Sequence, residues 1–98
     1  MSERITRRKT GETRKDTFTG YDCNIWSLER GDEVVGQAFA VYKTRTQRFF
    51  EVQLTLDGYT SEQASYSIRH AVVLAEQDIA SQKAADVQVQ PAGEEATV

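Results

Sequence analysis

Arg48-Phe49-Phe50-Glu51-Val52-Gln53-Leu54-Thr55-Leu56 decides the fold. Phe50, Val52, Leu54 and Leu56 alternate with Phe49, Glu51, Gln53 and Thr55, the period of two that marks a strand with one buried face. Reading toward the C-terminus, Asp57-Gly58-Tyr59 interrupts the strand. Thr60 and Gln63 then have the spacing of a capping box, and Glu62 suits a first helical turn. Ala64, Ile68, Ala71, Val72, Ala75 and Ile79 follow as one amphipathic stripe, which predicts a helix over Ser61–Ala80. Reading toward the N-terminus, Arg45-Thr46-Gln47 is a turn and Val34–Thr44 a second strand rich in Val, Phe and Tyr. Gly31-Asp32 is a two-residue hairpin signal, and Phe18–Glu29 is the strand before it.

The expected fold class is therefore α+β: a three-stranded antiparallel meander with one C-terminal helix packed on one face (β-β-β-α), with flexible tails at both ends. Residues 1–16 read as a flexible basic arm, since six of them are Lys or Arg and Ile5 alone is apolar after Met1. Without an apolar stripe nothing offsets the entropy of ordering such a segment. Residues 17–81 form the single predicted domain, and 82–98 read as a flexible acidic tail.

The two turns set an expected register. With Gly31-Asp32 at the first turn, Ile25 opposes Ala38 and Cys23 opposes Ala40. With Arg45-Thr46-Gln47 at the second, Ala38 opposes Leu54 and Ala40 opposes Val52. Tyr21, Cys23, Ile25, Gly36, Ala38, Ala40, Tyr42, Phe50, Val52, Leu54 and Leu56 then share the face beneath the helix. The small residues of the middle strand let a helix approach closely. The other face carries Trp26, Leu28, Val35, Phe39, Val41 and Phe49. Six large apolar residues on a face without a covering layer mark an interface, and these six are the candidate partner-binding residues.

Composition excludes several classes. The chain has 98 residues, 39% hydrophobic, enough for one small core but not for a deep cleft between lobes. Its single cysteine, Cys23, rules out an internal disulfide and a cysteine-based metal site. Together with the absence of a leader-like apolar stretch, this makes a reducing, cytoplasmic setting the expectation. No apolar run approaches the ~20 residues of a membrane span. The net charge of −3 is uneven: residues 1–49 hold ten Lys/Arg and seven Asp/Glu, and residues 50–98 hold two and eight.

Few residues carry chemistry. His70 is the only histidine; with Tyr66 and Val73 it lies opposite the core stripe of the predicted helix. Ser61, Ser65 and Ser67 are near it in sequence, but no glycine-rich elbow supplies an oxyanion hole. No catalytic, metal or cofactor residues are expected, and no small-molecule substrate. Basic residues form two groups, Arg4, Arg7, Arg8, Lys9, Arg14 and Lys15 in the arm and Lys43, Arg45 and Arg48 at the second turn. Both suit phosphate contact. Three strands followed by a helix resembles the strand–helix half of double-stranded-RNA-binding domains, a likeness of plan alone. Those domains carry a lysine cluster at the start of the last helix, where this chain has Thr60-Ser61-Glu62-Gln63. The expected function is non-enzymatic binding of a protein partner or a second copy through the outer sheet face. Nucleic-acid binding through the two basic groups is the alternative.

Overall fold

The computed structural model describes residues 4–97, with side chains over residues 4–86. The outer ends of the predicted arm and tail, residues 1–3 and 98, lie outside the described residues, as do the side chains of 87–97. The fold is α+β, as expected, but the antiparallel sheet has five strands rather than three. They are β1 (Ile5–Lys15), β2 (Asp22–Arg30), β3 (Glu33–Tyr42), β4 (Arg48–Leu56) and β5 (Tyr59–Ser65), followed by α1 (Ile68–Thr97). Strand order is sequential, so the sheet is a simple meander with β1 and β5 at its edges.

β5 replaces the first turn of the predicted helix. Asp57 and Gly58 both have positive φ, 54° and 86°, the pattern of a type I′ hairpin, whose twist matches that of the strands it joins. Leu56 accordingly pairs with Tyr59. The capping-box residues Thr60 and Gln63 sit within the strand, and Ala64 is exposed on it. The helix is capped later: Ser67 Oγ accepts the His70 N–H at 3.1 Å. Ile68, Ala71, Val72, Ala75 and Ile79 are buried as the stripe predicted. The helix backbone continues through the segment read as a tail.

β1 replaces the predicted flexible arm. Of its eleven residues only Ile5 is even partly buried, so it has no apolar periodicity to be read. The backbone ladder to β2 holds it, with Thr10 Oγ1 donating to the Ile25 carbonyl at 2.9 Å. Arg8–Glu29 at 2.7 Å and Lys15–Asp22 at 3.1 Å add cross-strand ion pairs. A bulge between Lys9 and Thr13 breaks the register at Gly11.

Two register differences decide which residues share a face. The β3–β4 pairing is displaced by two residues, with Ala38 opposite Val52 and Ala40 opposite Phe50. A displacement of two leaves every side chain on its predicted face. The β2–β3 hairpin begins as expected, with Arg30 opposite Glu33, but a bulge beside Val35 then shifts it by one. A shift of one exchanges the faces of a strand. Trp26 now pairs with Ala38 and Leu28 with Gly36, on the helix side. Ile25 pairs with Phe39, and Ile25 and Cys23 move to the outer side. The core is Leu28, Val35, Ala38, Val52, Leu54 and Leu56 beneath Ile68, Ala71, Val72, Ala75 and Ile79, with Trp26 and Phe50 packed against its margin.

The helix lies over β4 and β5. Ser61 Oγ donates to Asp78 at 2.6 Å and Tyr59 OH to Asp86 at 2.6 Å, while Lys83 pairs with Asp57. These bonds run the helix antiparallel to β5. None of the described helices is long and apolar enough to cross a membrane.

Candidate nucleic-acid interface

Asp16 organises one end of the sheet. It follows β1 directly and is buried. Its carboxylate accepts from the Phe18 and Thr19 N–H groups and the Thr19 hydroxyl, closing the connection to β2, and from the Tyr42 N–H of β3 at 3.0 Å. The end of β1 is thereby tied to the start of the β3–β4 loop. Arg14 and Lys15 come to the same end of the sheet as Lys43, Arg45 and Arg48, two groups the sequence presents 28 or more positions apart.

Among the described residues, Arg14, Lys43, Arg45 and Arg48 have no carboxylate within salt-bridge distance, while Lys15 is paired with Asp22. Arg14 lies 4.0 Å from the Phe39 ring centroid, Lys43 4.8 Å from Phe49 and Arg48 4.9 Å from Phe50. Each cation is steadied on an aromatic face rather than neutralised by an acid. Phe18 and Tyr21, in the Asp16 connection, are 63% and 46% exposed. Tyr21 meets Tyr42 edge-on at 5.2 Å. This end of the molecule therefore presents cations interleaved with open aromatic rings.

The Asp16 carboxyl lies below the ordinary carboxylate range, chiefly because the Tyr42 N–H bonds to its charged form. Desolvation opposes this, and the Thr19 and Phe18 donors add to the lowering. A lowered folded-state pKa contributes stability that is present above the unfolded value of about 3.9 and lost as pH falls through the folded value. Asp16→Asn is expected to unfold at lower urea concentration at neutral pH. The gap to wild type should narrow below about pH 4, and a gap that stays constant down to about pH 2 contradicts the assignment.

The other arm cations lie further along β1. Arg7 and Lys9 stand opposite Leu28 and Trp26 in the ladder, and Arg8 is taken up by Glu29. Arg4, Arg7 and Arg69 line one groove of about 350 Å³, with Ile5, Leu28, Ile68 and Val72. Arg4 and Arg7 lie by the β2–β3 turn, whereas the helix starts beyond the other end of β5. Twist accumulated across five strands swings these diagonal corners together. None of the three arginines has a carboxylate partner among the described residues.

The six residues expected to form an outer apolar patch are divided. Leu28 (1% exposed) and Val35 belong to the core, and Trp26 packs at its margin, 6.0 Å from Phe50. The β2–β3 bulge is the cause. Phe39 is on the outer face but is 3% exposed beneath Arg14. Val41 and Phe49 remain half-buried there, paired with each other. Ile25 and Cys23 join them on that face, and polar pairs occupy the part nearer β5: Gln37 bonds Gln53 at 2.8 Å and the Thr55 and Thr60 hydroxyls meet at 3.0 Å. Sequence reasoning did not select Phe18, Tyr21 or Arg69. The position of Phe18 within, and of Tyr21 directly after, the turn-forming stretch Asp16-Thr-Phe-Thr-Gly20 was the available signal for the first two. Nothing local marks Arg69.

Ser65 Oγ and His70 Nδ1 are 2.5 Å apart, and Tyr66 stacks on the imidazole at 5.2 Å. Ser65 is buried, and among the described residues no carboxylate bonds to His70 to orient it as a base. The pair joins the end of β5 to the first helical turn. Cys23 is buried, and desolvation, then Asp16, raises its thiol pKa, the reverse of what an activated thiolate needs. No described group of His, Cys, Asp and Glu could hold a metal ion. No family model, curated protein or solved structure matches the chain.

Proposed function

We propose that the protein is a non-enzymatic binding module for nucleic acid, and that its working surface is the basic, aromatic-bearing end built around Asp16. One observation carries the reading: Arg14, Lys43, Arg45 and Arg48 share one end of the sheet without carboxylate partners among the described residues, an end that also bears the exposed rings of Phe18 and Tyr21. Phosphates would take the cations and bases would stack on the rings. The helix acids Asp78 and Asp86 bond to Ser61 and Tyr59 of β5, the sheet edge opposite β1, so a net charge of −3 does not forbid the interaction.

The test is fluorescence anisotropy with labelled oligonucleotide across a salt series. Four phosphate contacts predict a log–log salt slope near −3 for a single strand, about −0.7 for each. Lys43→Ala/Arg45→Ala should make the slope about 1.4 shallower and leave the urea midpoint unchanged. Absence of binding at about 50 mM salt removes the reading.

A protein partner or a second copy is the second reading, and the open edge of β1 favours it. Eleven residues of strand present one row of unpaired backbone groups, which can accept an added strand. Val41 and Phe49 on the adjoining face would be the apolar contacts. A mass in solution equal to one chain at all concentrations removes self-association.

A further inference from the structure

The molecule offers four features outside the Asp16 end: the groove between β1 and α1, the Ser65–His70 pair, the polar hollow lined by Arg30, Glu33 and Asp57, and the open β1 edge. The serine is buried, and the hollow's arginine is already paired with both acids. The groove and the edge are continuous with each other and with the basic end.

We infer that a single strand of nucleic acid runs the length of β1, from Arg14 and Lys15 past Lys9 to the groove of Arg4, Arg7 and Arg69. This rests on the proposed nucleic-acid reading and adds the form of the ligand, its path and its length. β1 holds five Lys/Arg and one acid, Glu12, which sits in the bulge. Arg8 and Lys15 are engaged by Glu29 and Asp22; of the others, Arg7 and Lys9 extend from the helix side of this edge strand and Arg14 from the outer side, so a phosphate row that follows the edge itself is within reach of all three. The groove adds Arg69 from the helix at the far end, an apolar floor of Leu28, Ile68 and Val72, and no acid in its lining. On the same side of the sheet the helix carries Glu76, Asp78 and Asp86. A duplex laid along β1 would bring its second phosphate row toward these acids, and like charges repel.

Length follows from geometry. Eleven strand residues span about 36 Å. At about 3.4 Å per stacked nucleotide this accommodates about ten, and fewer if the strand is extended.

The test uses the full chain and labelled oligo-dT of about 4, 8, 12 and 16 nucleotides, with a duplex of the longest length. Affinity should rise with length to about ten nucleotides and then level off, and the duplex should bind more weakly than the single strand. Arg7→Ala/Arg69→Ala should lower the salt slope of the 12-mer by about 1.4 and leave that of the 4-mer unchanged, since the short probe is held at the Asp16 end. Circular dichroism and the urea midpoint confirm that the variant is folded. Equal or tighter duplex binding, or a 12-mer unaffected by the double substitution, overturns the path while leaving the basic end intact as a site. No binding by any probe removes both.

Discussion

Gly36→Ala is expected to be strongly destabilising. A Cβ built on Gly36 would lie 2.0 Å from the Gln53 carbonyl oxygen and 3.1 Å from the Leu54 Cα. Both obstructing atoms belong to the main chain of β4, so no rotamer change relieves the overlap. Gly36 pairs with Leu54 at the centre of the sheet and stands beside the bulge that sets the β2 register. Relief requires β3 and β4 to part where Leu28, Ala38, Val52 and Leu54 are packed. Overfilling a packed core costs about 1–3 kcal/mol when side chains can yield. With backbone on the other side the loss should exceed about 3 kcal/mol, a large part of the ~5–15 kcal/mol that holds a domain of this size together. Urea denaturation measures it. Gly58→Ala is the control: its Cβ meets nothing within 4 Å, so the substitution bears only the strain of φ 86°, about 1–2 kcal/mol. If both variants unfold at the same urea concentration, the tight β3–β4 approach is not as described.

Leu28→Ala should cost about 3–5 kcal/mol, whereas Val41→Ala should cost less than about 1.5 kcal/mol. Leu28 is among the largest fully buried side chains, and removing three carbons from a core that cannot collapse adds a cavity penalty to the lost transfer energy. Val41 is half-buried on the outer face against Phe49 and leaves no closed cavity. The comparison is sharp because the sequence pattern assigns both residues to one exposed patch. A hairpin without the Val35 bulge would make Leu28→Ala the milder change. The urea midpoints of the two variants, taken with equal m-values, therefore report the β2 register directly.

Legibility varied along the chain for identifiable reasons. β3, β4 and the helical stripe from Ile68 to Ile79 are sandwiched or half-sandwiched, so burial imposed a period that can be counted. The β3–β4 faces survived a wrong turn length because the displacement was two residues. The β2 faces did not survive, because one extra residue at Val35 reverses a strand and leaves no mark in composition. β5 was hidden by a capping-box pattern at Thr60 and Gln63. The competing signal was Asp57-Gly58 after an alternating strand, the stronger of the two. β1 had no apolar signal to give, since backbone bonds and cross-strand ion pairs hold it. The basic residues of the candidate interface were all legible apart from Arg69, but their arrangement was not: Asp16 joins two groups distant in sequence, and sheet twist brings Arg69 to Arg4 and Arg7.

Local chemistry thus established the α+β class, the helical core stripe, the Gly31-Asp32 turn and the uneven charge, because each is written in neighbouring residues. Pairing partners, the sidedness of β2 and the grouping of cations depend on contacts between segments remote along the chain. Those are decided only when the backbone ladder closes, the bulge is placed and the twist accumulates.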